Sequence, residues 1–129
     1  MKLVFYAHSK ATLATAIDED VAFLTKHLGA SLNGGCEVKS GRDDHAARFR
    51  AAGSWADWCR QVARRYDVFV VPPGPIGKAT KDILIDALSQ DKAVLSWNGS
   101  HNTPAFARAA SVATTDSENW KAGWSLVLR

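Results

Sequence analysis

The sequence predicts one α/β domain, a mostly parallel sheet of about five strands with helices on both faces. Three observations carry this reading. Short apolar, β-prone runs alternate with stretches whose apolar residues recur at helical spacing. Val68–Val71 (VFVV) is apolar at every position, as in a strand buried on both faces. Finally, Tyr66–Trp97 runs from strand through a Pro/Gly loop and a helix to a second strand, the layout of a parallel crossover. At 129 residues, positions 1–129 make a single domain by length. A domain near this size buries roughly two thirds of the surface its unfolded chain exposes, enough for a core without staples.

Lys2–Ala7 (KLVFYA) is short and apolar and reads as a first, central strand. After a polar loop at His8–Ala14, Thr15 is the expected N-cap of a helix. Asp18, Glu19 and Asp20 fall in its first turn, where the helix dipole favours negative charge. Ile17, Val21, Leu24 and Leu28 repeat at helical spacing, and Gly29 is the expected stop. Asn33-Gly34-Gly35 turns into a short second strand at Cys36–Lys39. Asp43 can cap a helix through Ala52, and Gly53-Ser54 restarts another over Trp55–Tyr66. There Trp55, Trp58, Cys59, Val62 and Tyr66 share one face, while Arg60, Gln61, Arg64 and Arg65 share the other. Val68–Pro72 is the third strand, ended by Pro72-Pro73 because proline cannot donate to a ladder. Thr80 is the expected cap of a helix over Lys81–Gln90, with Ile83, Leu84, Ala87 and Leu88 inward. Ala93–Trp97 is the next strand and Asn98–Pro104 a polar loop. Phe106–Thr114 contains a fifth strand, Asp116 or Ser117 caps a short helix, and Trp124–Leu128 can pair as an edge strand.

Composition narrows the function classes. No apolar run is long enough to span a bilayer, and Met1-Lys2-Leu3 feeds straight into a strand, so no membrane and a cytoplasmic location are the expectation. Cys36 and Cys59 form no CxxC pair and read as free thiols. His8, His27, His45 and His101 are scattered, and no metal site is expected. Lys39–Arg65 holds seven basic residues against three acids, an excess larger than the +3 of the whole chain. This lobe is either a solvated helix face or an attractor for phosphate. A polynucleotide partner is disfavoured, because these basic residues are not interleaved with aromatics suited to stacking.

In open α/β sheets, ligands collect beyond the carboxyl ends of the strands. That rule directs attention to Pro72–Thr80 (PPGPIGKAT). Gly74 and Gly77 let the backbone approach a ligand, Pro75 shapes the bend, and Lys78 and Thr80 sit at a helix start whose N–H groups suit a phosphate. A P-loop is not met: Pro72 stands where its first glycine belongs, and Ala79 separates Lys78 from Thr80. The first-strand loop adds Tyr6, His8, Ser9 and Lys10, with His8 able to orient a ribose hydroxyl or act as an acid. Trp97 stands where it can stack on a base or fill the core, and Asn98 leads a loop of polar contacts. Arg42 is the candidate phosphate contact after the second strand. Trp55 and Trp58 read as core or as a subunit interface.

The PG-x-x-G bend entering a helix resembles the PGGxGTxxE motif of the lonely-guy phosphoribohydrolases. The segment Ala87-Leu88-Ser89-Gln90-Asp91-Lys92-Ala93-Val94-Leu95 is similar to the "AL…GK.V" segment of the related nucleoside deoxyribosyltransferases. Together these cover about a quarter of the chain. The resemblance implies a Rossmann-like fold that binds a nucleoside or nucleotide, needs no cofactor and assembles as a homo-oligomer. Many members cleave or exchange the N-glycosidic bond. Both families place a glutamate near the start of this helix, and the aligned positions here are Lys81 or Ile83. Asp82 lies between them. A carboxylate there can attack the anomeric carbon or steady an oxocarbenium-like centre; it can equally be an ordinary acid near a helix N-terminus. Two functions follow as expectations. One is an N-glycosidic hydrolase or deoxyribosyltransferase with Asp82 and His8 as catalytic groups. The other is a non-catalytic nucleotide-binding module, a sensor or scavenger on the same fold.

Overall fold

A computed structural model of the chain describes residues 1–8, 12–41, 52–114 and 123–129. Among them, β1 (Lys2–Tyr6), α1 (Ala14–Ser31), β2 (Cys36–Ser40), α2 (Trp55–Arg65) and β3 (Val68–Val71) come first. Then follow α3 (Lys78–Ser89), β4 (Ala93–Trp97), β5 (Phe106–Thr114) and β6 (Trp124–Leu128). The strands form one six-stranded sheet in the order β2-β1-β3-β4-β5-β6. β1 is central, as its apolar sequence predicts, and pairs in parallel with β2 and β3; β3 pairs in parallel with β4.

The sheet is mixed, which corrects the expectation of about five mostly parallel strands. β5 runs antiparallel to β4, and β6 antiparallel to β5. The reason is loop length. Only the short segment after Trp97 separates β4 from β5, and Asn98 N–H closes it onto Ala105 O at 3.1 Å. A parallel return needs a crossover of about a dozen residues or more. β5 is long enough to serve both neighbours. Its first residues pair with β4, and from Ala109 on, through an irregularity between Ala109 and Ser111, it pairs with β6.

Alternation along the strands divides the core into two layers. Val4, Tyr6, Val70 and Trp97 face α1 and meet its Ile17, Leu24 and Leu28. Phe5, Phe69, Val71 and Val94 face the other way and meet Trp58, Cys59, Val62 and Ala63 of α2 and Ile83, Leu84 and Ala87 of α3. Helices therefore cover both faces. The β1–β3 seam is fixed at its start by Asp67, whose carboxylate accepts from Leu3 N–H at 2.8 Å and whose own N–H donates to Leu3 O at 2.8 Å.

Three helix ends differ from expectation. α1 begins at Ala14 after Leu13, without a side-chain cap, so Thr15 is not its cap. It also runs through Gly29 to Ser31. A single glycine costs a helix roughly 1 kcal/mol, and Leu24 and Leu28 buried against the sheet offset that. The stop comes later, where Gly34 and Gly35 both take positive φ. α3 begins three residues before the expected position, with Gly77 rather than Thr80 as N-cap, because Ile76 is anchored just ahead of it. α2 starts as expected: Ser54 accepts from Asp57 N–H at 3.2 Å. The helix expected from Asp43 and the cap at Asp116 or Ser117 lie outside the described residues. No helix among the described residues is long and apolar enough to cross a membrane.

Candidate functional site

β1 leads through α1 to β2 on one side, whereas β3 leads through α3 to β4 on the other. The carboxyl ends of β1 and β3 are therefore a topological switch point, where the two outgoing loops diverge and leave a crevice. Ala7 and His8 form one wall there, and Pro72 to Gly77 with Thr80 form the other. The hollow between them measures about 20 Å³, room for a water-sized group. It admits the polar tip of a ligand, not its whole body.

The Pro72–Gly77 bend is shaped from both ends. Gly74 has φ +114°, a conformation that residues with a Cβ rarely adopt. Ile76 is buried and forms a bridge with Trp124, donating its N–H to Trp124 O at 3.2 Å. The last strand thus grips the loop and delivers Gly77 to the start of α3. Gly77 has no side chain to cap the helix. The first N–H groups of α3 lack intrahelical partners by helix geometry, and the dipole makes this end positive. Pro75, Gly77 and Thr80 line the hollow, and Lys78 is exposed beside it.

Asp82 is directed elsewhere. Its Oδ2 accepts from Trp55 Nε1 at 2.8 Å, and its Oδ1 lies 2.8 Å from Lys81 Nζ. Lys81 Nζ in turn sits 4.3 Å from the centre of the Trp124 ring. Burial pushes the Asp82 carboxyl up, but the hydrogen bonds from Lys81 and Trp55 and the charges of Lys81 and Lys78 outweigh it, so it stays below the usual carboxylate range. The charge is kept and directed at α2. Asp82 is not among the residues that line the hollow.

On the α1 face, Tyr6 is fully buried and donates its hydroxyl to Asp20 Oδ2 at 2.5 Å. Asp20 Oδ1 lies 2.8 Å from Nε2 of His101 in the β4–β5 loop. The His101 ring stacks on Phe23 with centroids 4.4 Å apart, and Trp97 lies parallel to Phe23 at 5.7 Å. Trp97 is 1% exposed, so its ring fills the core against α1 and is closed to a stacking base. Asn98 is committed to its own loop: Oδ1 accepts from Ser100 and Ala105 N–H, and Nδ2 donates to Thr103 O. Of the residues singled out from sequence, the structure brings His8, Gly74, Pro75, Gly77 and Thr80 together around one hollow. Tyr6 lies next to it, its ring centre 5.7 Å from that of His8 in an edge-to-face arrangement. Ser9, Lys10 and Arg42 lie outside the described residues.

A second hollow, of about 180 Å³, opens on the other side of the same bend. Val71, Pro72, Pro73, Gly74, Ile76 and Ser96 form it with Ser125, Leu126 and Leu128 of β6. A broader groove over Phe23, Lys26, His27, Ala30 and Ser31 lies on the outer surface of α1 and does not border the bend. Among the described residues, no group of three or more His, Cys, Asp or Glu is gathered as for a metal ion.

Sequence reasoning missed Asp20 and the β6 residues as parts of this edge. Asp20 reads locally as one of three acids near a helix start, and its partners lie far away in sequence. The edge-strand pattern of Trp124–Leu128 was readable, but its docking onto Ile76 had no local signal. No known protein family, curated protein or solved structure matches the chain.

Proposed function

We propose that this chain is a nucleoside- or nucleotide-binding module whose ligand sits at the β1/β3 switch point, its phosphate or sugar hydroxyl in the hollow against α3. One observation carries the proposal: the Pro72–Gly77 bend brings an uncapped helix start to a hollow shared with His8. An anion or hydroxyl there meets backbone donors and the positive end of a dipole. The engagement of Asp82 by Trp55 and Lys81 favours binding without glycosidic chemistry. A second reading, N-glycosidic hydrolysis or base exchange, is supported by the ionised state of Asp82 in the second turn of the same helix. It requires Asp82 to give up both partners for substrate. A homo-oligomer belongs to the same proposal, with the partly exposed Trp55 as the contact to examine.

The test is incubation with nucleosides and 5′-monophosphates, followed by thermal unfolding and chromatography for free base. The module predicts ligand-dependent stabilisation, close to 3 kcal/mol at about a hundredfold excess over Kd, and no product. Free base whose release falls at least about tenfold in Asp82→Asn would replace it with the enzyme, because a neutral amide cannot offset positive charge developing at carbon. Neither stabilisation nor product across the panel would end both readings.

A further inference from the structure

We propose that the 180 Å³ hollow between the Pro72–Gly74 bend and β6 is a pocket for an uncharged planar heterocycle of nucleobase size. This rests on the nucleotide-binding reading and extends it, by assigning the ring half of the ligand.

Three features select that chemistry. Among the described residues, no side chain lining the hollow carries a charge, so a carboxylate or phosphate placed against them would lose water without gaining a counter-charge. Its walls are the apolar surfaces of Val71, Pro72, Leu126 and Leu128, which suit the faces of a flat ring. The polar side chains among its described lining residues are Ser96 on β4 and Ser125 on β6, and neither hydroxyl makes a hydrogen bond with another described residue. A hydroxyl donates and accepts, so a pair of them can meet the mixed donor and acceptor edge of a heterocycle. Volume sets the size. About 180 Å³ accommodates a single or fused ring, not a whole nucleotide.

Position links this hollow to the first one. Both share Val71, Pro72, Pro73, Gly74 and Ile76 as lining. One ligand straddling the bend would place a ring on the β6 side and a phosphate on the His8 side. The Ile76–Trp124 bridge holds the two sides in register.

The experiment is amide chemical-shift mapping on the full chain, with uracil, adenine and hypoxanthine as free bases. Orotate serves as a charged ring of similar shape, and 5′-UMP and 5′-AMP complete the set. The expected result is saturable shifts at Ser96, Ser125 and Leu126 with at least one free base. Orotate should bind at least about tenfold more weakly than uracil, for want of a cation. Ser125→Ala, which removes one hydroxyl at a partly exposed strand position, should weaken the base about fivefold or more while keeping the native spectrum. Leu126→Trp should abolish base binding by filling the hollow. If it unfolds the hairpin instead, Ser125→Ala still decides. Monophosphates that shift the amides of Gly74 and Ile76–Thr80 but not those of Ser96 and Ser125 would overturn the ring pocket and leave the nucleotide reading standing. No shifts with any base or nucleotide would overturn both.

Discussion

His101 Nε2 lies 2.8 Å from Asp20 Oδ1, and that contact ties the β4–β5 loop to the second turn of α1. The other oxygen of Asp20 is held by the buried Tyr6 hydroxyl, so one carboxylate joins β1, α1 and the loop after β4. Asp20→Ala strands the Tyr6 hydroxyl inside the core. The expected cost is about 2 kcal/mol in urea unfolding, whereas Tyr6→Phe, which leaves Asp20 its His101 contact, costs about 1 kcal/mol. Equal losses for the two variants would show that Asp20 does not act through Tyr6.

Tyr6 also sets an alkaline limit. Burial, then the hydrogen bond and negative charge of Asp20, push its phenol well above the ordinary value of 10.0. Above pH about 10 the unfolded chain gives up this proton while the folded chain keeps it. The unfolded state then binds fewer protons, so stability falls as pH rises. Tyrosinate absorbance from Tyr6 is expected to appear with unfolding, not before it, in a pH titration followed by ultraviolet absorbance and circular dichroism.

Cys59 is expected to be inert in the folded chain. Burial, reinforced by the charges of Asp82 and Asp86, pushes its thiol up to about 11, and Cys36 is also buried and shifted upward. With the reactive thiolate scarce and shielded, a disulfide reagent at pH 8 should titrate two thiols in denaturant and react at least about a hundredfold more slowly in native buffer. Rapid labelling of Cys59 without denaturant would contradict its place between α2 and the sheet.

The Trp55–Asp82 hydrogen bond has an acid signature. Asp82 is held below its ordinary value of 3.8, so its contribution is present above that pH and is lost as pH falls through the folded value. Trp55→Phe should cost about 1 kcal/mol at pH 7, and the difference from the native chain should shrink toward zero on acidification below pH about 4. A pH-independent difference would mean that Trp55 acts through packing alone.

The glycines of the bend separate conformation from binding. Gly74→Ala is expected to cost about 1–2 kcal/mol through its positive φ alone, since an added Cβ meets nothing within 4 Å. Gly77 has an ordinary φ of −74° and open space around it. Gly77→Ser should therefore gain a few tenths of a kcal/mol as a better cap. The same hydroxyl would occupy the α3 N–H groups, and 5′-monophosphate affinity, measured by calorimetry, should fall. Unchanged affinity would remove the helix start from the ligand site.

Much of this was legible in the residues themselves. The all-apolar VFVV of β3, the 3.6-residue spacing of Ile83, Leu84 and Ala87, and the two-faced Trp55–Tyr66 stretch each reduce to local periodicity. The antiparallel return of β5 runs against the mostly parallel expectation, although the segment after Trp97, too short for a crossover, carried the signal for it. What could not be read is contact between distant positions. Asp20 is a helix-start acid by local rules and becomes a junction only when Tyr6 and His101 arrive. Asp82 looks like a crevice acid until Trp55 claims it from another helix.

The bridge from Ile76 to Trp124 makes assembly order matter. On the ribosome, the Pro/Gly bend is made well before the strand that clasps it, so the proposed ligand edge cannot be completed until translation has passed Trp124. A chain truncated ahead of that tryptophan would lack the strand that holds Ile76 and leave the proposed recognition surface unfinished.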